Sequence, residues 1–566
     1  MYRVYKFLLQ PLRKGSLRKL FPFESSQFRF PAVEISGMNK SPRVSLLLFR
    51  TSPSLLRDKT VKPHNRTDTH AAAMDAAAAA RRLRAFKRWM REHGVVCSDA
   101  LRLDSSEAGG FHVRAVAPLR EGDLIATIPR RACLTPRTTG AAEAIEAAEL
   151  GGCLALAVAV MYERSRGKDS PWDAYLRMLP DRESVPLVWP AEEAERLLAG
   201  TELDKIVKQD REFLCEDWKE CIEPLVGELE VDPDDFSLEK YFSAKTLVSS
   251  RSFQIDSYHG FGMVPLADIF NHKTGGEHVH FTSVSDASDS DVEEEDDDKS
   301  DASTDDHSTI EHNTNSVSEA SINDEDLEMI VVRDANEGDE VYNTYGTMGN
   351  AALLHRYGFT ELDNQYDIVN IDLALVTKWC KSMFSSRHAK ARVSLWRNLG
   401  YSGCTSQDAE YFEISYDGEP QLELLILLYI ITLKADAYDK LICVADDLIV
   451  DEEHDSISSL VRLVKATNSS LNFELNEIEK MPDVKKLLHS KSISSALLSL
   501  ADMRESFYGS NSLEDDEEKL EKCNCVKERK MYHSLVLRVS EKRILNRFRK
   551  YASSLCKAKT KKRKHR

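Results

Sequence analysis

The segments Val264-Pro265-Leu266-Ala267-Asp268-Ile269-Phe270-Asn271-His272 and Tyr342-Asn343-Thr344-Tyr345-Gly346 decide how this 566-residue chain reads. The first is an apolar, strand-like run that closes on an Asn-His pair, and the second a strand-like run that closes on Tyr-Gly. Between them lies a tract, 286–328, that holds eighteen Asp and Glu against the single Lys299. Rich in Ser and poor in large apolar residues, it cannot bury enough surface to offset the entropy of ordering it. The pattern predicts a disordered acidic insertion over about 283–328, with the two flanking segments meeting in space.

The tract also accounts for the formal net charge of −17, because its own balance is −17 and the rest of the chain sums to zero. The length suffices for two or three domains with full cores. No run of about 18 apolar residues suggests a membrane span, and the most apolar stretch, 422–432, reads as a buried helix. The eleven cysteines are scattered singly, with Cys523 and Cys525 the closest pair. An odd count without C-x-x-C argues for free thiols in a reducing compartment and against zinc. His272, His278 and His280 are of ligand type, but no carboxylate spacing supports them, so no metal site is expected.

Along the chain, 1–73 is rich in Arg, Lys and Ser and poor in acid. That fits a transit peptide or a disordered leader ahead of Met74. A helix is predicted over 76–93, with Leu83, Phe86, Trp89 and Met90 on one stripe and Gly94 as its stop. Strands follow over 111–117 and 123–129, then a helix over 150–166 that is apolar almost all round and hence buried. Further helices run to about 247, and a short one follows Asn350. Beyond 362 the pattern is helical, over 422–435, 460–467, 493–505 and 514–550. The tail 557–566 is strongly basic.

Taken together, the Val264–His272 and Tyr342–Gly346 segments resemble the C-terminal half of a SET-domain lysine methyltransferase. The branch is the one that includes Rubisco large-subunit methyltransferase and the ribosomal-protein lysine methyltransferases, and the closest type is the nuclear enzyme acting on an NF-κB subunit. The resemblance implies an α+β fold: a mostly-β SET core at 74–361 with a helical insert at about 135–247. A helical, all-α substrate-binding domain at 362–556 follows, including Ser540-Glu-Lys-Arg-Ile-Leu545, in place of a cysteine-rich cap. It further implies S-adenosyl-L-methionine as cofactor and a protein substrate bearing a target lysine. No membrane contact and no direct nucleic-acid contact are expected, and the basic cluster at 561–564 points to the nucleus.

By the same resemblance, Tyr345 is the residue whose hydroxyl orients the incoming amine, and it also contacts the cofactor. Its setting before His355-Arg-Tyr-Gly-Phe359 carries that assignment. Asn271 and His272 would hold the cofactor's amino-acid end, an amide offering both donor and acceptor. Gly110 and Phe111 match the family's Gly-x-Gly before the first strand, although His112 stands where the second glycine belongs. In Ser250-Arg251-Ser252-Phe253, Arg251 would pair with the cofactor's carboxylate, which suits a guanidinium fork. Asp268 would shape the lysine channel. Read without the family, each has a plainer role: Tyr345 a strand-end aromatic, Asn271 a turn residue, His272 a core imidazole, Arg251 a helix-end cation, Asp268 a buried structural acid. Two other functions fit the same residues, a SET-fold binding module acting through its acidic loop and basic tail, and protein-histidine methylation.

Overall fold

The computed structural model describes residues 66–105, 110–283, 326–402, 410–445, 456–467 and 484–562. Residues up to Arg81 and those from Arg82 to Arg566 form separate compact units. In the first unit the described residues, 66–81, are helical. The helix Arg66–Glu92 thus begins ten residues earlier than expected and takes in part of the presumed leader. The alanines ahead of Met74 explain the extension, Ala being the strongest helix former.

The second unit has two cores. The first surrounds a four-stranded antiparallel sheet of order β1 (Val96–Cys97), β4 (Leu124–Ile128), β8 (Leu327–Val331), β7 (Val279–Ser283). Hairpins β2–β3 (Leu101–Ser105, Phe111–Ala115) and β5–β6 (Ser252–Asp256, Gly260–Met263) accompany it. Helix Gly152–Arg166, whose residues Ala155 to Met161 are all buried, packs against helix Leu238–Arg251. Ser283 pairs with Leu327, so the chain leaves β7 and re-enters β8 at one place on the sheet. The acidic tract up to residue 325 lies outside the described residues. Its expected end is corrected, because Glu328 is a β8 residue opposite Thr127 and Thr282.

The second core, from Val369 to Leu555, gathers around helix Leu422–Thr432. No helix among the described residues is long and apolar enough to cross a membrane. The all-α expectation is corrected by a two-stranded antiparallel sheet, β9 (Val369–Asp372) with β10 (Tyr411–Ile414). The 422–435 helix is likewise two helices. Arg392 donates to the carbonyls of Ile430 (2.7 Å) and Leu433 (3.3 Å) and closes the first, before Ala435–Cys443 begins. The long C-terminal helix also divides, into Leu513–Lys522 and Arg529–Lys562. Between them Asn524 Oδ1 accepts from the N–H groups of Val526 and Lys527 and turns the chain.

The two cores are joined by a small third one, where Trp189, Leu198 and Val207 meet Leu354 and Leu537. Beside it Arg504 donates to Gly200 O (2.7 Å), Asn370 O (3.1 Å) and Glu202 Oε1 (2.9 Å). Gly200 has φ +75°, and a Cβ there would sit 2.4 Å from Phe507 O, so only glycine fits.

Candidate active site

The first segment leaves β6 at Met263, whose backbone pairs in both directions with Leu134 (3.0 and 2.9 Å). Every residue from Val264 to Phe270 is buried, yet the run is not a strand. Leu266 takes φ 82°, and Ala267–Ile269 is a single 3-10 turn. The strand-like reading is therefore corrected. Burial all along the run erases the alternation that marks a half-exposed strand, and Pro265 lacks the N–H a ladder needs. The turn places Asp268 inside and Asn271 at the surface.

The second segment arrives as an extended stretch beside β3. Ala115 N–H donates to Asp339 O (2.9 Å) and Val341 N–H to Val113 O (2.8 Å). On its other side Asn343 N–H donates to Asn271 O (2.8 Å), and Val279 N–H donates to Tyr342 O (3.1 Å). Asn343 makes isolated parallel bridges with both His272 and Val279. The two segments do meet, at Asn271–His272 and Asn343.

Tyr345 ends that stretch. Its N–H donates to His272 Nδ1 (3.0 Å), and its hydroxyl donates to Phe270 O (3.0 Å). Its ring stacks on His272 (centroids 5.0 Å apart, 19° between planes) and on Tyr357 (4.4 Å, 26°). A backbone N–H can only donate, so Nδ1 of His272 is the bare nitrogen. Nε2 then carries the proton and donates it to Thr274 Oγ1 at 3.0 Å. Burial lowers the His272 pKa, which favours that neutral form. Burial also pushes the Tyr345 phenol well above its ordinary value, so the hydroxyl keeps its proton at neutral pH. With the proton directed at Phe270 O, the oxygen's lone pairs are left to accept from a donor.

Asp268 is the second centre. Its Oδ2 accepts from the Tyr175 hydroxyl (2.9 Å), and Arg251 Nη1 lies 3.7 Å from the same oxygen while donating to the Asp268 backbone carbonyl (2.9 Å). Its Oδ1 is buried without a hydrogen-bond partner. Burial raises the carboxyl pKa to about 6, against the pull of Arg251 and Tyr175. Arg251 also donates Nε to Glu183 (2.7 Å). Burial pulls its pKa down, but Glu183 and Asp268 outweigh that and hold it above the ordinary value. The Tyr345 phenol is within electrostatic reach of both Arg251 and Asp268, which makes the three one cluster. An unpaired buried carboxyl oxygen is costly, and a cationic N–H donor is the ligand type that would satisfy it.

The other expected residues are more peripheral. Asn271 is exposed, with Nδ2 donating to Glu340 Oε1 (2.7 Å). Gly110 is exposed and Phe111, half-buried, has the Arg82 guanidinium 5.4 Å from its ring. They open β3, whose backbone carries residues 339–341 and whose side packs on the Asp268 turn. Tyr175, Glu183 and Tyr357 are site residues that the sequence reading did not single out. Tyr357 lies inside the quoted His355–Phe359 run, so its signal was present. Nothing in the sequence marks Tyr175 or Glu183.

No family model matches the chain. It is similar to ribosomal lysine N-methyltransferase 3 of Saccharomyces cerevisiae, 27% identical over 386 residues that cover 56% of this chain and 69% of that protein. N-lysine methyltransferase SETD6 of Mus musculus is 27% identical over 314 residues, 51% of this chain and 57% of its own length. The chain thus spans less than two thirds of that relative. Among solved structures, the SET domain of LSMT bound to lysine and AdoHcy superimposes with a TM-score of 0.57 at 19% identity, covering 84% of this chain and 91% of the other. Rubisco LSMT bound to AdoMet gives 0.55 at 18% identity, covering 84% and 92%. At these identities the likeness to the solved chains concerns the fold: an α+β SET core followed by a helical region.

Proposed function

We infer that this chain, a member of the SET-domain lysine methyltransferase branch that includes Rubisco large-subunit methyltransferase, is an S-adenosylmethionine-dependent protein-lysine N-methyltransferase. The observation that carries the reading is the Tyr345 hydroxyl, fixed on Phe270 O, within electrostatic reach of Asp268, whose Oδ1 is buried and unpartnered. A lysine amine offers N–H donors that suit both oxygens. The residues present also fit the cofactor, since a guanidinium, an exposed amide and a glycine backbone make a donor set for a zwitterionic amino-acid end. We assign that end to Arg251, Asn271, His272 and the Gly110–Phe111 backbone. S-adenosylmethionine supplies the methyl group on a sulfonium.

The work left to the protein is alignment and exclusion of water. A lysine arrives as an ammonium with a pKa near ~10.4, and only its neutral form is nucleophilic. Above pH 6 Asp268 is ionised and attracts that ammonium. Once the ammonium has given up one proton to bulk water, Tyr345, which keeps its own, accepts an amine N–H and so orients the freed nitrogen lone pair. Arg251, Glu183 and Tyr175 position Asp268.

The function is tested by incubating the protein with labelled cofactor and a cell extract and identifying the modified residue. Methyl-lysine is expected; label confined to histidine, or none, overturns the assignment. Asn271→Ala should weaken S-adenosylmethionine binding about tenfold by calorimetry, one hydrogen-bonded amide being lost. An unaltered Kd with intact fold returns Asn271 to a turn residue.

The raised Asp268 pKa gives a pH signature. Protonation removes the anion, so KM for a lysine peptide should climb as pH falls through about 6, by up to about tenfold per unit well below it. Asp268→Asn should show a high KM that is flat across the same range. A parallel climb in the variant would remove Asp268 from substrate binding.

For substrate we favour a ribosomal or nuclear protein, on the names of the relatives and on Lys561-Lys-Arg-Lys564. Nuclear signal in a full-length fusion that is lost when 557–566 is deleted supports that address. Signal that survives the deletion refutes the tail's part in it.

A further inference from the structure

The last two turns of helix Arg66–Glu92 have two opposed faces. Phe86, Trp89 and Met90 are buried, with Trp89 Nε1 donating to Pro171 O (2.6 Å) and its ring stacked on Phe86. Arg84, Lys87, Arg88 and Arg91 are all exposed. At about 100° per residue these four fall within an arc of about 100°, centred opposite the buried three. The packed face fixes the helix, so the charged face is held rigid.

None of these four side chains is in an ion pair among the described residues. Some exposed cations elsewhere do have acidic partners, as in Arg120–Asp334 and Lys522–Glu518. The four stand three and four residues apart, the spacing at which like charges destabilise a helix. A polyanion laid along this face would relieve that repulsion. The arc itself holds no large apolar side chain, and exposed Ala85 and Glu92 flank it on the Arg88 side. Protein–protein interfaces centre on apolar and aromatic anchors, whereas nucleic-acid interfaces are polar and strongly positive. Three of the four cations are arginines, whose fork matches phosphate.

We propose that Arg84, Lys87, Arg88 and Arg91 form a docking surface for the sugar–phosphate backbone of a nucleic acid, without base specificity. This departs from the expectation of no direct nucleic-acid contact.

The test is fluorescence anisotropy of full-length protein with labelled single-stranded RNA and duplex DNA of about 20 nucleotides, over a salt series. The comparison is Arg84→Gln/Lys87→Gln/Arg88→Gln/Arg91→Gln. The wild type should bind, and log Kd against log salt should be steeper than in the variant by about 3, four phosphate contacts being removed. Binding at low salt should fall at least about tenfold, while methylation of a free substrate peptide is unchanged. Binding to either nucleic acid supports the proposal, and the tighter one names the source. If the fourfold variant does not fold, Arg84→Gln/Arg88→Gln and Lys87→Gln/Arg91→Gln should each lose about half the slope. No wild-type binding, an unchanged slope, or preference for polyglutamate over both nucleic acids overturns it.

Discussion

Tyr345→Phe is expected to lower turnover about 10²-fold or more while S-adenosylmethionine affinity stays near wild type. The substitution is unusually clean because the residue's other anchors survive it. The backbone N–H still reaches His272 Nδ1, and the ring still stacks between His272 and Tyr357. Only the hydroxyl that donates to Phe270 O is lost, and with it the one oxygen proposed to orient the amine. A group that acts mainly in the transition state lowers kcat and kcat/KM together. Steady-state kinetics on a lysine peptide, with calorimetry for the cofactor, measure both sides. Unchanged turnover would end the catalytic assignment of Tyr345.

Asp516→Ala should cost about 3–5 kcal/mol of stability. Asp516 and Lys542 are both fully buried and 2.6 Å apart, and Arg538 adds two bonds to the same carboxylate at 2.9 and 3.0 Å. Removing the carboxylate leaves a buried ammonium with the carbonyls of Asn511 (2.8 Å) and Ser512 (3.3 Å) and the Tyr508 ring (5.5 Å to its centroid), and no counter-charge bonded to it. The penalty is mostly that of the stranded cation, not the net worth of the pair. Asp516→Ala/Lys542→Met should therefore recover much of the loss. Denaturant midpoints at constant m would measure it. A single variant that melts with the wild type, or a double variant no better than the single, contradicts this account.

Much of the architecture was legible because it rests on long periodic segments. Gly152–Arg166 and Leu422–Thr432 announce themselves by apolar residues on all sides, and both are buried as read. What escaped was short or fully enclosed. The β9–β10 sheet has two four-residue strands, too brief for alternation to register. Val264–Phe270 looked like a strand because composition cannot tell an enclosed turn from an enclosed strand. The break after Lys522 depends on the side chain of Asn524 bonding its own backbone, an effect of one residue inside an otherwise helical pattern. At the candidate site, resemblance located Tyr345, Asn271 and Asp268 by their motifs. Tyr175 and Glu183 come from the insert, far away in sequence, and reach the cluster only once the chain has folded.

The Ser283–Leu327 pairing has a consequence for how the polypeptide could be divided. Chain exit and re-entry are neighbours on a four-stranded sheet, and the ladder between β7 and β8 runs unbroken from that point to the Val279–Val331 pair. Continuity of the backbone there is not what holds the strands together. Two fragments, one ending after β7 and the other starting before β8, would expose complementary edges and should reassemble. The first would carry Asp268 and His272 and the second Tyr345, so neither half would hold the whole cluster. Methyl transfer regained on mixing would then report fragment association, giving a natural seam for a split enzyme.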